Sequence, residues 1–217
     1  LSTSDFLKSG SLNQRRQITL ENKIGEFTSK TIFEPIPLNW KGHIQANQHY
    51  PSHNATDFFG LWKEDIELFA EQGYKAFRLS ISWTRIFPDG TKNSINEKGL
   101  KFYDNIFNLL AEYNIEPIVT LNHFDMPFLL AEELGGWENR ETISHFLDFS
   151  KTVFKRYKKK VKYWITFNEI NFLNGYTFLG IKEETLEKRY QALHHIFLAS
   201  AETVIEGKKK MKNFKLE

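Results

Sequence analysis

The sequence predicts an α/β domain in which parallel strands alternate with crossover helices, and three observations carry that expectation. From Ala55 onward, helical and extended segments follow one another in the order α-β-α-β-α-β-α, the order that parallel sheets with crossover connections produce. The helical segments place apolar residues at three- and four-residue intervals, while the extended ones are short and continuously apolar. With 217 residues and no linker dividing the ordered region, the chain reads as one domain spanning 1–217.

Taken in order, residues 1–54 are rich in Asn, Gln, Ser and Lys, with short apolar runs such as TIFEPIPL. They read as a degenerate first strand near Phe6–Leu12 followed by a long loop. Residues 55–217 read as helix 1 to helix 4 with the strands between them. DFFGLWKEDIELFAEQG carries Phe58, Leu61, Trp62, Ile66 and Phe69 on one face and ends in Gly73, a helix stop. YKAFRLSISW follows as a strand. SINEKGLKFYDNIFNLLAEY is a helix, with Ser94 and Glu97 spaced as a capping box and Leu100, Tyr103, Phe107 and Leu110 on its apolar face. IEPIVTLNHF is a strand with Pro117 near its start, where proline is tolerated. Arg140 to Tyr157 is the third helix, VKYWITF the third clear strand, and LEKRYQALHHIFLASAETVIEG a helix stopped by Gly207. The lysine triplets at 158–160 and 208–210 lie at helix ends, where they complement the helix dipole and face water.

Composition excludes several classes of function. A net charge of +2 is too small for a nucleic-acid or membrane surface. There is no cysteine, which excludes disulfides and thiolate metal sites and fits a cytoplasmic location. No apolar run reaches the ~18 residues of a membrane span. The start, LSTSDFLKSG, lacks the charge and apolar core of a signal peptide, and without an initiator Met it leaves room for residues upstream. His194 and His195 are adjacent on a helix and point to different faces, a poor metal pair. No HExxH, GxGxxG or GxxxxGK[ST] occurs, so neither a metal nor a cofactor is expected. The 20 Phe, 8 Tyr and 5 Trp suit a core and equally a sugar-binding cleft.

In parallel α/β folds, chemistry collects at the C-terminal ends of the strands. Here those ends hold Arg78 with SISWTRIF, then Asn122, His123, Phe124 and Asp125, then Asn168, Glu169 and Asn171. Singly, each also reads as a residue leaving the core: Asp125 as a cap on the turn before Met126-Pro127, His123 as a structural histidine. Jointly they provide a carboxylate, amides, an imidazole, a guanidinium and aromatic rings, suited to a polyol with hydroxyl edges and apolar faces.

At these residues the sequence resembles glycoside hydrolase family 1, the retaining β-glycosidases built on a (β/α)8 TIM barrel. The resemblance runs from about Tyr50 to Glu217. FRLSISWTRIFPDG is similar to the family's second-strand motif, LNHFDMP to its third, and TFNE to its acid/base motif on the fourth. YPSHNATDFF, LNHFDMP and TFNEIN are most similar to the bacterial 6-phospho-β-glucosidases, which cleave disaccharides phosphorylated during uptake. The resemblance implies that Glu169 is the general acid/base, helped by a partly desolvated setting that raises its pKa. It implies that Asn168 bonds the sugar 2-hydroxyl, His123 binds hydroxyls of the same ring, Arg78 sits beside the nucleophile and Phe124 lines the cleft. Gln14 is matched to the family's first-strand glutamine, although the Glu-Gly that should come next is missing.

The family's nucleophile lies in a Thr-Glu-Asn-Gly type motif on strand seven, and no such motif occurs here. MKNFKLE resembles the approach to strand five. The expectation is therefore roughly the first half of the barrel, strands 1–4 with strand 1 degenerate, binding a β-glucoside or its 6-phosphate but inactive or nearly so. Open barrel edges invite self-association. The alternatives are a non-catalytic carbohydrate-binding module and one half of a split or dimeric barrel.

Overall fold

A computed structural model describes residues 13–14, 17–31, 33–211 and 215–216. The described residues form two sheets. The first is antiparallel, built from β1 (Asn13–Gln14), β2 (Gln17–Asn22), β3 (Phe27–Thr31) and β4 (Trp40–Gly42), with β2 pairing all three others. This corrects the long loop expected over the same stretch. Ile18 and Leu20 of β2 are buried in a strand otherwise made of polar residues, so its core contribution is two side chains and its pattern is faint in sequence. The strand expected near Phe6–Leu12 lies outside the described residues. The backbone of Gln14 belongs to the hairpin β1–β2, not to a parallel strand.

The second sheet is parallel, in the order β5 (Ala76–Ser80), β6 (Glu116–Asn122), β7 (Tyr163–Phe167) and β8 (Lys215–Leu216). Three of these are the strands anticipated from the apolar runs. The fourth, β8, falls in the segment read as the approach to a fifth strand and pairs with β7. Helices α1 (Pro51–Asn54) and α2 (Phe58–Glu71) precede β5. After it come α3 (Trp83–Ile86) and α4 (Glu97–Glu112). α5 (Phe128–Leu134) and α6 (Glu141–Tyr157) link β6 to β7, and α7 (Gly175–Leu179) and α8 (Leu186–Lys210) come after β7.

Two helix ends differ from expectation. The N-cap of α4 is Asn96, whose side chain accepts from Lys98 N, because Ser94 already closes a separate 3-10 turn and donates to Asp89. Gly207 does not stop α8. It is buried within the helix, which continues to Lys210, where the three lysines face the negative end of the helix dipole.

The core lies between the parallel sheet and its helices. Trp83 stacks on Phe149 at 5.6 Å, and Phe146 meets Phe167 at 4.6 Å. His195 is buried and structural, its ring nitrogens 2.8 Å from the Trp137 carbonyl and from Gln191. Gly136 and Gly180 both have positive φ and touch back to back. A Cβ on Gly136 would lie 2.1 Å from the Leu179 carbonyl, so the loop carrying α7 can close over α5 where both residues lack side chains.

Candidate active site

The parallel register brings the polar strand ends to one edge of the sheet. Arg78 opposes Ile118 and Ser80 opposes Thr120, while Asn122 opposes Phe167, one residue before Asn168. The Asn168 amide donates to the Asn122 carbonyl at 2.9 Å, extending the β6–β7 ladder by one bond. Beyond it Glu169 turns into the left-handed region, φ 43° and ψ 52°, a conformation uncommon for residues with a side chain and frequent at functional sites. That turn starts the short 3-10 helix Ile170–Phe172 and leaves Glu169 exposed. The partial desolvation expected around Glu169 is not supplied by the described residues.

Arg78 joins the strands. Its Nη2 donates to Asn168 Oδ1 at 2.6 Å and its Nε to Thr120 Oγ1 at 3.3 Å. One planar fork thus fixes the amide of β7 against β6, and the orientation leaves the Asn168 NH2 group as the donor available to a ligand. His123 shares this field. Partial burial of its ring and the Arg78 charge hold its imidazole below the usual histidine value, with the Glu169 carboxylate opposing both. Neutral His123 can then both donate to and accept from hydroxyl groups. Phe124, with φ 67°, meets the His123 ring edge-on at 5.1 Å.

Asp125 belongs to the scaffold of this site. Its carboxylate accepts Trp83 N–H at 2.8 Å, and Asn122 Nδ2 donates to its carbonyl at 2.8 Å. It therefore ties the loop after β6 to the start of α3. Burial raises its carboxyl above the usual aspartate value, while the Ser82 and Trp83 donors and Arg85 pull it back. A cleft of about 670 Å³ runs from His123 and Arg78 along β5 to Phe59 and Arg85. There the Arg85 guanidinium lies over the rings of Phe59 and Phe102, at 4.3 and 4.8 Å, with its Nε and Nη1 buried and without hydrogen-bond partners.

Arg78, His123, Phe124, Asn168 and Glu169 thus share one edge of the sheet. Gln14 lies in the antiparallel hairpin. Sequence reasoning missed Thr120, which is inside a strand and offered no signal, and three rings that continue in contact from Phe124: Phe178 at 5.0 Å, then Phe33 and Phe172. Phe172 stands three residues after Glu169, and Phe33 lies in TIFEPIPL, so both were in view as apolar residues without a place. No group of three or more His, Cys, Asp or Glu side chains able to hold a metal occurs among the described residues. None of their helices is long and apolar enough to cross a membrane.

Residues 38–216 match the family described as Glycosyl hydrolase family 1. The chain is 46% identical over 184 residues to the aryl-phospho-beta-D-glucosidase BglA of Bacillus subtilis, covering 80% of this chain and 38% of that protein. It is 44% identical over 172 residues to the 6-phospho-beta-glucosidase AscB of Escherichia coli, covering 76% and 36%. Among solved structures, a beta-glucosidase from Thermotoga maritima in complex with glucoimidazole superposes with a TM-score of 0.68 at 37% identity, over 74% of this chain and 37% of that one. The chain therefore spans less than two fifths of the length of these relatives.

Proposed function

The chain belongs to glycosyl hydrolase family 1, and from that premise we propose that it builds the acid/base side of a retaining β-glycosidase site for β-glucosides and their 6-phosphates. The observation that supports this most is the Arg78–Asn168 contact at 2.6 Å beside an exposed Glu169. Glu169 donates a proton to the leaving glycosidic oxygen and later takes one from water. Asn168, oriented by Arg78, donates to the sugar 2-hydroxyl, a contact that strengthens as the ring gains oxocarbenium character. His123 bonds neighbouring hydroxyls and Phe124 lies against the ring.

A retaining reaction needs a second carboxylate about 5–5.5 Å from the first. No residue of this sequence is assigned that role, so the chain by itself binds its glycoside and turns it over little or not at all. The 6-phosphate preference is supported by the names of the relatives, and phosphorylated disaccharides place the work in cytoplasmic carbohydrate metabolism. The domain is taken as one unit over 1–217, and its open sheet edge favours association between copies. A non-catalytic carbohydrate-binding role is the alternative, favoured by the exposed rings beside Glu169.

The test is binding and hydrolysis of p-nitrophenyl β-glucoside and its 6-phosphate by the purified chain, with Glu169→Gln beside it. Saturable binding without turnover is expected. Turnover abolished by Glu169→Gln would show that a nucleophile is present after all, from this chain or a second copy. Binding of neither glycoside overturns the proposal.

A further inference from the structure

The net charge of +2 hides where the charge lies. Between residues 151 and 162 stand seven Lys and Arg and no Asp or Glu, so the rest of the chain is net negative. The fold adds a second basic group to this one. α6 ends at Tyr157 just before β7, and α8 ends at Lys210 just before β8. Tyr163, which opens β7, pairs with Lys215, which opens β8. The two helix ends therefore meet at the rim of the sheet opposite Glu169. Lys209 and, across the helix pair, Lys151 hold the Glu206 carboxyl below the usual glutamate value.

Asp104 and Glu206 neutralise part of this group. Asp104 takes Arg156 Nε at 2.7 Å and Lys160 Nζ at 2.6 Å, and Glu206 takes Lys209 at 3.2 Å and Lys210 at 3.8 Å. Lys155, Lys158, Lys159, Lys162 and Lys208 are exposed and have no carboxylate within ion-pair distance among the described residues. The helix dipole accounts for cations in a last turn. That covers Lys155 and Lys208 but not Lys159 and Lys162, which lie beyond the end of α6. Crowded like charges raise the positive potential over the rim and oppose the compact state, and an anionic partner relieves both.

The kind of cation decides the kind of partner. The one guanidinium in the group, Arg156, is held by Asp104, so no planar fork is left to read a phosphate or a base by its geometry. The remaining cations are ammonium point charges on flexible stems, suited to a surface whose anions are themselves mobile. Ile205, 52% exposed, stands three and four residues before Lys208 and Lys209, on the same face of α8. An apolar side chain beside basic ones is the arrangement of an interfacial helix. We propose that the lysine rim formed by the ends of α6 and α8 docks the chain on an anionic phospholipid surface, with the Glu169 edge turned away from it. This docking is independent of the glycosidase reading of Glu169.

The test is flotation of the purified full chain with lipid vesicles on a density gradient, in which self-associated chain without lipid stays at the bottom. Vesicles of phosphatidylcholine with about 30% phosphatidylserine are expected to carry the chain upward, and pure phosphatidylcholine vesicles are not. Lys158→Gln with Lys159→Gln should lower the partition coefficient about twentyfold. Lys23→Gln with Lys41→Gln, which removes as much charge from exposed positions elsewhere, should leave it unchanged. An equal loss in both pairs would make net charge the cause and overturn the rim as a site. Flotation to the same extent with pure phosphatidylcholine would assign binding to apolar contacts and overturn the charge argument. Capture of a duplex oligonucleotide without flotation would make the rim a nucleic-acid surface and overturn the lipid proposal, as would no flotation at all.

Discussion

Arg78 is the residue at which the three strand ends meet, because a guanidinium can donate in two directions from one rigid plane. Its bonds to Thr120 and Asn168 need that fork. Arg78→Lys keeps the charge but cannot span both acceptors, so it should cost about 1–2 kcal/mol in urea denaturation and weaken glycoside binding through a misplaced Asn168. An unchanged midpoint and affinity would show that the fork positions nothing. Asp125 gives a second expectation, in pH. Its folded carboxyl is raised by burial, so the folded chain holds this proton more firmly than the unfolded chain does. The stability this contributes is complete below the usual aspartate value of about 4 and is lost as pH rises through the raised value. Asp125→Asn keeps an acceptor for Trp83 N–H and should remove that fall. The wild-type-minus-variant difference in thermal stability, measured upward from pH 3.5, should decline; a flat difference would refute the reading. Asn168, Glu169, Asn122 and His123 were legible in sequence because each sits where an apolar strand ends, and Arg78 because a charge stands within the strand β5. Thr120 and the rings were not, since Arg78–Asn168 and Phe33–Phe172 join residues far apart in the chain, and only the fold brings them together.

At the scale of elements, periodicity located α2, α4, α6 and α8, and continuous apolar runs located β5 to β7. Short pieces escaped. α3, α5 and α7 are each too brief to show a helical repeat, and the N-terminal strands pair through backbone bonds while fully burying few apolar side chains, Ile18 and Leu20 of β2. Their placement depends on tertiary anchors, of which the Glu132–Lys182 pair is the clearest. At 9% and 11% side-chain exposure, neither charge can recover full hydration if its partner is lost. Lys182→Met should therefore destabilise the chain by about 3 kcal/mol, and the double replacement with Glu132→Gln should recover most of that. The readout is a pair of urea transitions. If the single and double variants are equally unstable, the methylene stem of Lys182 carries the effect and the charge pair does not.

At the scale of the whole molecule, the surfaces left uncovered among the described residues include a sheet edge and a helix face. β5 has β6 as its one strand neighbour there, so its far edge offers unpaired backbone groups bordering an aromatic cleft. α8 is apolar on two faces. Ala192, Ile196, Ala199 and Thr203 are buried, whereas Leu186, Tyr190, Phe197 and Ile205 are exposed at spacings that align them along the helix. A helix with an apolar stripe on its solvent side is suited to being covered from both sides. Sheet edge and helix stripe together predict self-association of the purified chain, and they assign most of it to α8, since side-chain burial supplies the larger driving force. Sedimentation velocity over about a hundredfold range of concentration should show rising mass with concentration. Tyr190→Lys with Phe197→Glu should hold the chain at monomer mass without loss of helical circular dichroism, because both side chains already face water. A wild type that stays monomeric throughout would refute the association. Association that persists in the double variant would move the contact from α8 to the edge of β5, where Ser80→Pro, which removes a backbone donor that points away from β6, is the next substitution to separate the two surfaces.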